Sequence, residues 1–247
     1  MILVCGHMDL GLHLVTLEIT GRCNLSCSHC YRGADASIDL INITLLLSQL
    51  AEIKPYYITI SGGEPLLLKD IFSIAEKLKK VCKKLLLTTN GTLVQDFPKN
   101  HFKIFDEIQI SLDGDKIIHE DIRGKNTFER AIKSAKYLKD IVHVSFLCTV
   151  HAMNYHEICN ITQIARTMGV SPKLGRMCGF GQSNLVPVND PIMWKNMLEK
   201  AARQGVPNDD PLNFWLSEKK KKCIQKARIV GGCTAGIAGV AISPELD

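Results

Sequence analysis

Short apolar runs alternate with longer amphipathic stretches along most of the chain. Apolar runs bounded by turn residues are typical of buried strands, and apolar residues that recur at helical spacing are typical of helices. Their alternation predicts an α/β fold in which right-handed helical crossovers join parallel strands. The predicted strands are Leu14–Ile19, Tyr56–Ile60, Lys84–Thr88, Glu107–Ser111, Val142–Thr149 and Pro172–Arg176, and the predicted helices are Thr44–Ile53, Lys69–Cys82, Asn126–Lys139 and Asn154–Met168.

This alternation is interrupted at two places. Between the third and fourth strands the sequence predicts only a turn of helix, near Asp96–His101. After the sixth strand, the Gly-, Asn- and Pro-rich stretch Gly179–Pro191 precedes two predicted helices, Ile192–Gln204 and Leu212–Gln225. We interpret this part as a linker into a C-terminal tail. The predicted N-caps of three helices are Thr44, Asn126 and Asn154.

Composition and charge narrow the class of protein. Of the 247 residues 46% are hydrophobic, which suits a soluble domain with its own core. No stretch approaches the roughly 20 apolar residues of a membrane span, and the first residues do not resemble a signal peptide. We therefore predict a cytoplasmic protein without membrane contact. The net charge of +5 is spread along the chain, so no nucleic-acid partner is predicted.

Three of the ten cysteines, Cys23, Cys27 and Cys30, crowd into the loop after the first predicted strand. A disulfide within so short a loop adds little stability, so this spacing favours metal ligands. Three thiolates can hold an iron-sulfur cluster and leave one iron open for another molecule. The alternative is a structural zinc with His29 as fourth ligand, although adjacent residues such as His29 and Cys30 rarely reach one tetrahedral centre.

The pattern C-x3-C-x2-C, followed by the aromatic Tyr31, resembles that of the radical S-adenosylmethionine (radical SAM) superfamily. The resemblance implies that Cys23, Cys27 and Cys30 bind a 4Fe-4S cluster whose open iron binds SAM. It also implies reductive cleavage of SAM to a 5′-deoxyadenosyl radical, which takes a hydrogen atom from a substrate. The implied fold is a partial (β/α)6 TIM-type barrel, and the implied electron donor is a protein such as ferredoxin or flavodoxin.

A second motif, Ser61-Gly62-Gly63-Glu64-Pro65, ends the second predicted strand. Two glycines let a backbone approach a ligand closely, and a carboxylate can pair with an ammonium group. The motif resembles the G-G-E motif of the superfamily, which implies that Gly62, Gly63 and Glu64 hold the amino group of SAM. The alternative is an ordinary structural turn.

Further polar residues stand where the resemblance implies contacts with SAM. Asn90 follows the third strand, and Ser111 and Asp113 belong to the S-L-D-G stretch that ends the fourth. The resemblance assigns these three to the ribose and carboxylate of SAM, although Asn90-Gly91 is also an ordinary turn sequence. Arg123 is a further candidate that could hold a carboxylate by a two-pronged salt bridge. Arg176, which ends the sixth strand, could point into the barrel, and the alternative is a surface ion pair.

The C-terminal segment 233–247 resembles the opening of a SPASM or twitch extension, in which a cysteine precedes a hairpin. We therefore predict a barrel at 14–176, a helical linker at 177–232 and an incomplete SPASM-like segment at 233–247. Cys178, Cys223 and Cys233 are interpreted as free or buried thiols, with an auxiliary cluster as the alternative.

The substrate is predicted from the branch of the superfamily. Residues 118–124, after S-L-D-G, and the segment that starts at Cys233 resemble SPASM-type maturases, which implies modification of a peptide or protein. The alternatives are small-molecule or tetrapyrrole cofactor biosynthesis, and a non-catalytic iron-sulfur or zinc-binding module. Methyl transfer on a Rossmann fold is disfavoured, because no glycine-rich loop follows the first strand.

Overall fold

The structure is a computed structural model that describes residues 13–31, 40–177, 185, 188, 190–204 and 239–243. Its centre is a seven-stranded sheet with the order β6-β5-β4-β3-β2-β1-β7. Every neighbouring pair of strands is parallel, so all seven strands end on one rim of the sheet. The strands are β1 (Leu14–Glu18), β2 (Tyr57–Ser61), β3 (Lys84–Thr89), β4 (Glu107–Ser111), β5 (His143–Val150), β6 (Ser171–Arg176) and β7 (Gly239–Ile242).

Helices connect each strand from β1 to β6 with the next, as the alternating pattern predicts, except that only 3-10 turns connect β3 to β4. The apolar faces of the helices are buried against the strands; in α2, for example, Ile71, Ile74 and Leu78 lie at helical spacing in the core. The helices are α1 (Leu40–Ile53), α2 (Ile71–Lys79), α3 (Lys116–Arg123), α4 (Thr127–Leu138), α5 (Ile158–Met168) and α6 (Pro191–Arg203), and short 3-10 turns lie at Pro65–Leu67, Val94–Asp96, Lys99–Ile104 and Tyr155–Glu157.

The six predicted strands are confirmed to within one residue at either end, whereas several helix details are wrong. Helix α1 begins at Leu40, so Thr44 is not its N-cap. Asn126 precedes α4 in a left-handed conformation, with φ 64°, and its side chain makes no capping hydrogen bond. Asn154 precedes a 3-10 turn rather than α5 itself. The predicted helix Leu212–Gln225 lies outside the described residues.

Helix α3 and strand β7 are absent from the sequence-based prediction. The Asp115 side chain accepts a hydrogen bond from the Ile118 amide at 3.0 Å and so caps the start of α3. Strand β7 pairs in parallel with β1, with Val240 opposite Val15, and Ile242 is buried in the core. Residues 239–242 thus extend the barrel sheet. The division into a barrel at 14–176, a linker at 177–232 and a SPASM-like segment at 233–247 stays a prediction.

None of the described helices is long and apolar enough to cross a membrane.

Candidate active site

A cavity of about 510 Å³ opens at the rim where β1 to β5 end. Because the strands are parallel, the polar residues that follow them converge there. Most of the predicted site residues line this cavity, namely Cys23, Cys27, Cys30, Gly62, Gly63, Asn90, Ser111 and Arg123. Glu64 and Asp113 are fully buried beside it. The side chain of Arg176, at the end of β6, lies outside the described part of the chain.

The cysteine loop is fixed at both ends by backbone hydrogen bonds. The Gly63 amide donates to the Thr20 carbonyl at 2.6 Å, and the Ser28 amide donates to the Ile122 carbonyl at 3.0 Å. Inside the loop, the Cys30 amide donates to the Cys27 carbonyl at 3.0 Å. The loop therefore bridges the end of β2 and the C-terminal part of α3.

All three cysteines of the loop are free thiols. Burial raises the pKa of the Cys27 thiol to about 11 and also raises the pKa of Cys23. Both thiols are therefore protonated at neutral pH unless a bound cation displaces the proton. Three free thiols on one open cavity fit a 4Fe-4S cluster held by three cysteines.

A single metal ion fits this site less well. Within the part of the chain that the structure describes, no three His, Cys, Asp or Glu side chains are grouped so that they could hold one metal ion. A four-iron cluster does not need such a group, because each thiolate binds a different iron. His29, the proposed zinc ligand, instead lies 3.4 Å from Arg123 and 3.9 Å from Asp113. The zinc alternative has no support in this geometry.

The two glycines of the G-G-E motif allow β2 to end against the cysteine loop. Gly62 has φ +126°, which disfavours any other residue, and a Cβ there would overlap the Thr20 carbonyl oxygen. A Cβ on Gly63 would overlap the Arg22 carbonyl and lie 2.7 Å from the Gly21 oxygen. In this structure, the two glycines therefore allow the backbone after β2 to lie close to the protein's own cysteine loop.

The sequence analysis expects the Glu64 carboxylate to face the cavity and bind SAM. In the structure this carboxylate is fully buried and does not line the cavity. It accepts hydrogen bonds from the Thr89 hydroxyl at 2.7 Å, the Asn90 amide at 2.8 Å and the Leu66 amide at 3.1 Å. Burial raises its pKa to about 6, and these three donors oppose that rise. Glu64, which follows β2, therefore connects β2 to the end of β3 through hydrogen bonds buried beneath the cavity surface.

Asn90 belongs to a chain of amide hydrogen bonds along the cavity. Its Nδ2 donates to Asn24 Oδ1 at 2.9 Å and lies 3.9 Å from Cys23 Sγ, while its Oδ1 accepts from the Thr92 amide at 2.8 Å. Asn24 Nδ2 in turn donates to Thr92 Oγ1 at 2.8 Å. This network connects β3 to the first cysteine of the loop.

Asp113 and Arg123 form a buried ion pair, with Arg123 Nε 2.5 Å from Asp113 Oδ2. The other carboxylate oxygen of Asp113 accepts from the Thr149 amide at 3.0 Å. Burial acts to raise the pKa of Asp113, but the charge and hydrogen bond of Arg123, together with His29 and His119, outweigh it and hold the pKa below its usual value. Asp113 is therefore ionised, and its carboxylate is occupied by protein donors rather than by the cavity.

Three histidines, His29, His119 and His151, surround this ion pair, and the sequence analysis names only His29, as a zinc ligand. Burial lowers the pKa of His29 and of His119 to about 4, so both rings are neutral. The His119 ring accepts from the Asp113 amide at 3.1 Å, and the His29 and His151 rings stack with centroids 5.7 Å apart. The four-residue spacing of His119 and Arg123 is the one sequence signal that could have indicated a shared helix face.

Comparison with known families tests the resemblance to the radical SAM superfamily. The profile of the radical SAM superfamily matches residues 17–165, which include the cysteine loop and the ends of β2, β3 and β4. The chain belongs to the radical SAM superfamily. Members of this superfamily use a 4Fe-4S cluster and SAM, which agrees with the three free thiols on the cavity.

Two curated relatives show how far this radical SAM chain can be aligned. It is 28% identical over 166 residues to the AdoMet-dependent heme synthase of Methanosarcina barkeri, covering 63% of this chain and 48% of the relative. It is 29% identical over 252 residues to AlbA, the antilisterial bacteriocin subtilosin biosynthesis protein of Bacillus subtilis, covering 97% of this chain and 54% of AlbA. The chain spans about half the length of these relatives.

Solved structures support the same radical SAM fold. The crystal structure of Streptococcus suis SuiB bound to S-adenosylmethionine superposes with a TM-score of 0.75 at 16% identity, covering 94% of this chain and 58% of SuiB. The seven-stranded parallel sheet is therefore a partial TIM barrel of the radical SAM type, as the resemblance implies.

Proposed function

We propose that this chain binds a 4Fe-4S cluster through Cys23, Cys27 and Cys30 and uses it to cleave SAM. The observation that carries the proposal is the single cavity lined by all three free thiols. When bound, such a cluster would supply the one electron needed to break a carbon–sulfur bond of SAM, which would give methionine and a 5′-deoxyadenosyl radical able to take a hydrogen atom from the substrate. A ferredoxin or flavodoxin is the proposed source of that electron.

The chain's own residues have positioning roles in this proposal. Gly62 and Gly63 line the cavity and are proposed to present their backbone to the amino group of SAM. Ser111 and Asn90 also line it, and we propose that they face the ribose or carboxylate of SAM. Glu64 supports these contacts from behind, because its carboxylate is held by Thr89, Asn90 and Leu66.

A peptide or protein is the proposed substrate. The alignment with AlbA, a bacteriocin biosynthesis protein, covers 97% of this chain, so it extends beyond the barrel into the C-terminal part. SuiB, which has this fold, has been crystallised with the precursor peptide SuiA. The heme synthase alignment covers only 63% of the chain, so tetrapyrrole chemistry is the second candidate.

The first step of the proposal is tested by anaerobic reconstitution of the full chain with iron and sulfide, followed by reduction with dithionite in the presence of SAM. We expect 5′-deoxyadenosine by mass spectrometry. The Cys27→Ala variant should lose cluster loading and SAM cleavage. Cys82, a free thiol before β3 that does not line the cavity, provides the matched control, and Cys82→Ala should keep both. Cleavage retained in Cys27→Ala would contradict the proposed cluster site.

The substrate class needs a separate measurement with the loaded protein. Candidate precursor peptides and tetrapyrroles are added in parallel, and the rate of 5′-deoxyadenosine formation is compared with the rate without substrate. A peptide that stimulates the rate and changes in mass would support the proposal. Stimulation by a tetrapyrrole alone would favour the second candidate.

A further inference from the structure

The guanidinium group of Arg123 lies between a carboxylate and a cysteine of the loop. The side chain is only 8% exposed. Its Nε lies 2.5 Å from Asp113 Oδ2, and its Nη1 donates towards Cys27 Sγ at 3.9 Å. The third nitrogen, Nη2, lies 3.4 Å from His29 Nε2. The sequence analysis expects Arg123 to hold a ligand's carboxylate, but here its carboxylate partner is Asp113.

Asp113 fixes the direction of this cation. One carboxylate oxygen binds Arg123 and the other accepts from the Thr149 amide at 3.0 Å, so the carboxylate is anchored to β5. The Asp113 backbone amide donates to His119 Nδ1 at 3.1 Å, and His119 and Arg123 lie one turn apart on α3. The positive end of the ion pair therefore points at Cys27.

Cys23 has a different neighbour. Its sulfur lies 3.9 Å from the neutral side-chain amide of Asn90. The two cysteines thus differ in the charge of their donor, since one faces an amide and the other a buried guanidinium. Hydrogen bonds to the sulfur atoms and local charge are among the factors that set the reduction potential of an iron-sulfur cluster.

We propose that Arg123 is a positioning residue that raises the reduction potential of the cluster by donating a charged hydrogen bond to the Cys27 thiolate. Reduction adds one electron to the cluster and breaks no bond, so the cluster becomes more negative. A fixed cation at its edge, shielded from water, stabilises the reduced form more than the oxidised form. Asp113 acts through Arg123 by holding it in place. The inference rests on the proposed function, because it requires a cluster on Cys27.

The test is a potentiometric titration of the reconstituted full chain without SAM, with dithionite as reductant and the EPR signal of the reduced cluster as the readout. We expect the midpoint potential of Arg123→Gln to be more negative than that of the unchanged protein, with Arg123→Lys between the two. Arg166 lies exposed on the last turn of α5, and Arg166→Gln should leave the potential unchanged.

Arg123→Gln leaves the Asp113 carboxylate buried without its partner, which can impair folding. The double variant Asp113→Asn/Arg123→Gln removes both charges and should show a smaller shift in the same negative direction, because loss of the carboxylate offsets part of the loss of the cation while the charged hydrogen bond to Cys27 stays absent. An unchanged midpoint potential in a loaded Arg123→Gln or in the loaded double variant would overturn the inference. Failure of the unchanged protein to take up any 4Fe-4S cluster would instead overturn the proposed function, so the two failures are distinguishable.

Discussion

The Glu64 carboxylate is fully buried, so its ionisation in the folded protein is energetically unfavourable. Three donors, from Thr89, Asn90 and Leu66, offset part of that cost. The offset is incomplete, because burial still raises the pKa from 4.5 to about 6. A group whose pKa is raised on folding favours the folded state below its unfolded pKa, and this contribution is lost as the pH rises through the folded pKa.

In the protein without cluster, the free energy of unfolding should therefore fall as the pH rises from about 4 to about 7.5, because Glu64 ionises over this range. A rise of about 1.5 in pKa corresponds to a loss of about 2 kcal/mol. In Glu64→Gln this part of the pH dependence should disappear, because the amide does not titrate. Urea denaturation at several pH values measures the pH dependence of the free energy of unfolding. Glu52, exposed on α1, gives the control Glu52→Gln, which should keep the pH dependence; the same slope in both variants would contradict the role of burial.

The roles of single residues could be predicted only where spacing determines them. Three closely spaced cysteines predict a shared loop, and Cys23, Cys27 and Cys30 do line one cavity. A carboxylate gives no comparable signal, because it can face a ligand or the amides of its own protein. Glu64 and Asp113 both face inward, and only the three-dimensional arrangement of their donors shows it.

At the scale of elements, the site depends on the contact between the end of β2 and the cysteine loop. The Gly63 amide donates to the Thr20 carbonyl at 2.6 Å, and the Glu64 amide donates to the Arg22 carbonyl at 2.9 Å. These hydrogen bonds leave no room for a side chain at Gly63, where a Cβ would overlap the Arg22 carbonyl. The glycine therefore sets the position of the loop relative to the sheet.

Gly63→Ala should displace the loop that carries Cys23, Cys27 and Cys30. We expect a several-fold lower iron content after reconstitution, and a free energy of unfolding lower by about 1–3 kcal/mol, as in other overpacked sites. Gly175, in β6, is the matched control, because a Cβ there would meet its nearest atoms at 3.8 Å. Iron analysis and urea denaturation of both variants test this, and normal iron content in Gly63→Ala would show that the loop tolerates the shift.

Elements with a strong local pattern could be predicted from the sequence, and the others could not. Strand β4 (Glu107–Ser111) matches its predicted bounds, because turn residues flank an alternating apolar run. Helix α3 is eight residues long and mostly polar, so it spans only about two turns and contains no apolar run of the length that marks the other helices. Strand β7 is a short apolar run far along the chain, and its place beside β1 depends on tertiary pairing that no local pattern shows.

At the scale of the whole molecule, the parallel sheet brings the two ends of the described chain together. Strand β1 pairs with β2 on one side and with β7 on the other. Ile242 on β7 is 6% exposed and belongs to the same core cluster as Val15 and Leu17 on β1. The C-terminal strand therefore contributes to the core of the barrel that carries the site.

If β7 unfolds with the barrel, Ile242→Ala should destabilise the whole molecule. Removal of a buried isoleucine side chain typically costs about 2–4 kcal/mol, and we expect a loss of that size in a single cooperative urea transition. Ile192 on α6 is 70% exposed, and Ile192→Ala should change stability by no more than about 0.5 kcal/mol. A main transition that Ile242→Ala leaves unmoved would mean that residues 239–243 fold apart from the barrel, as an extension would.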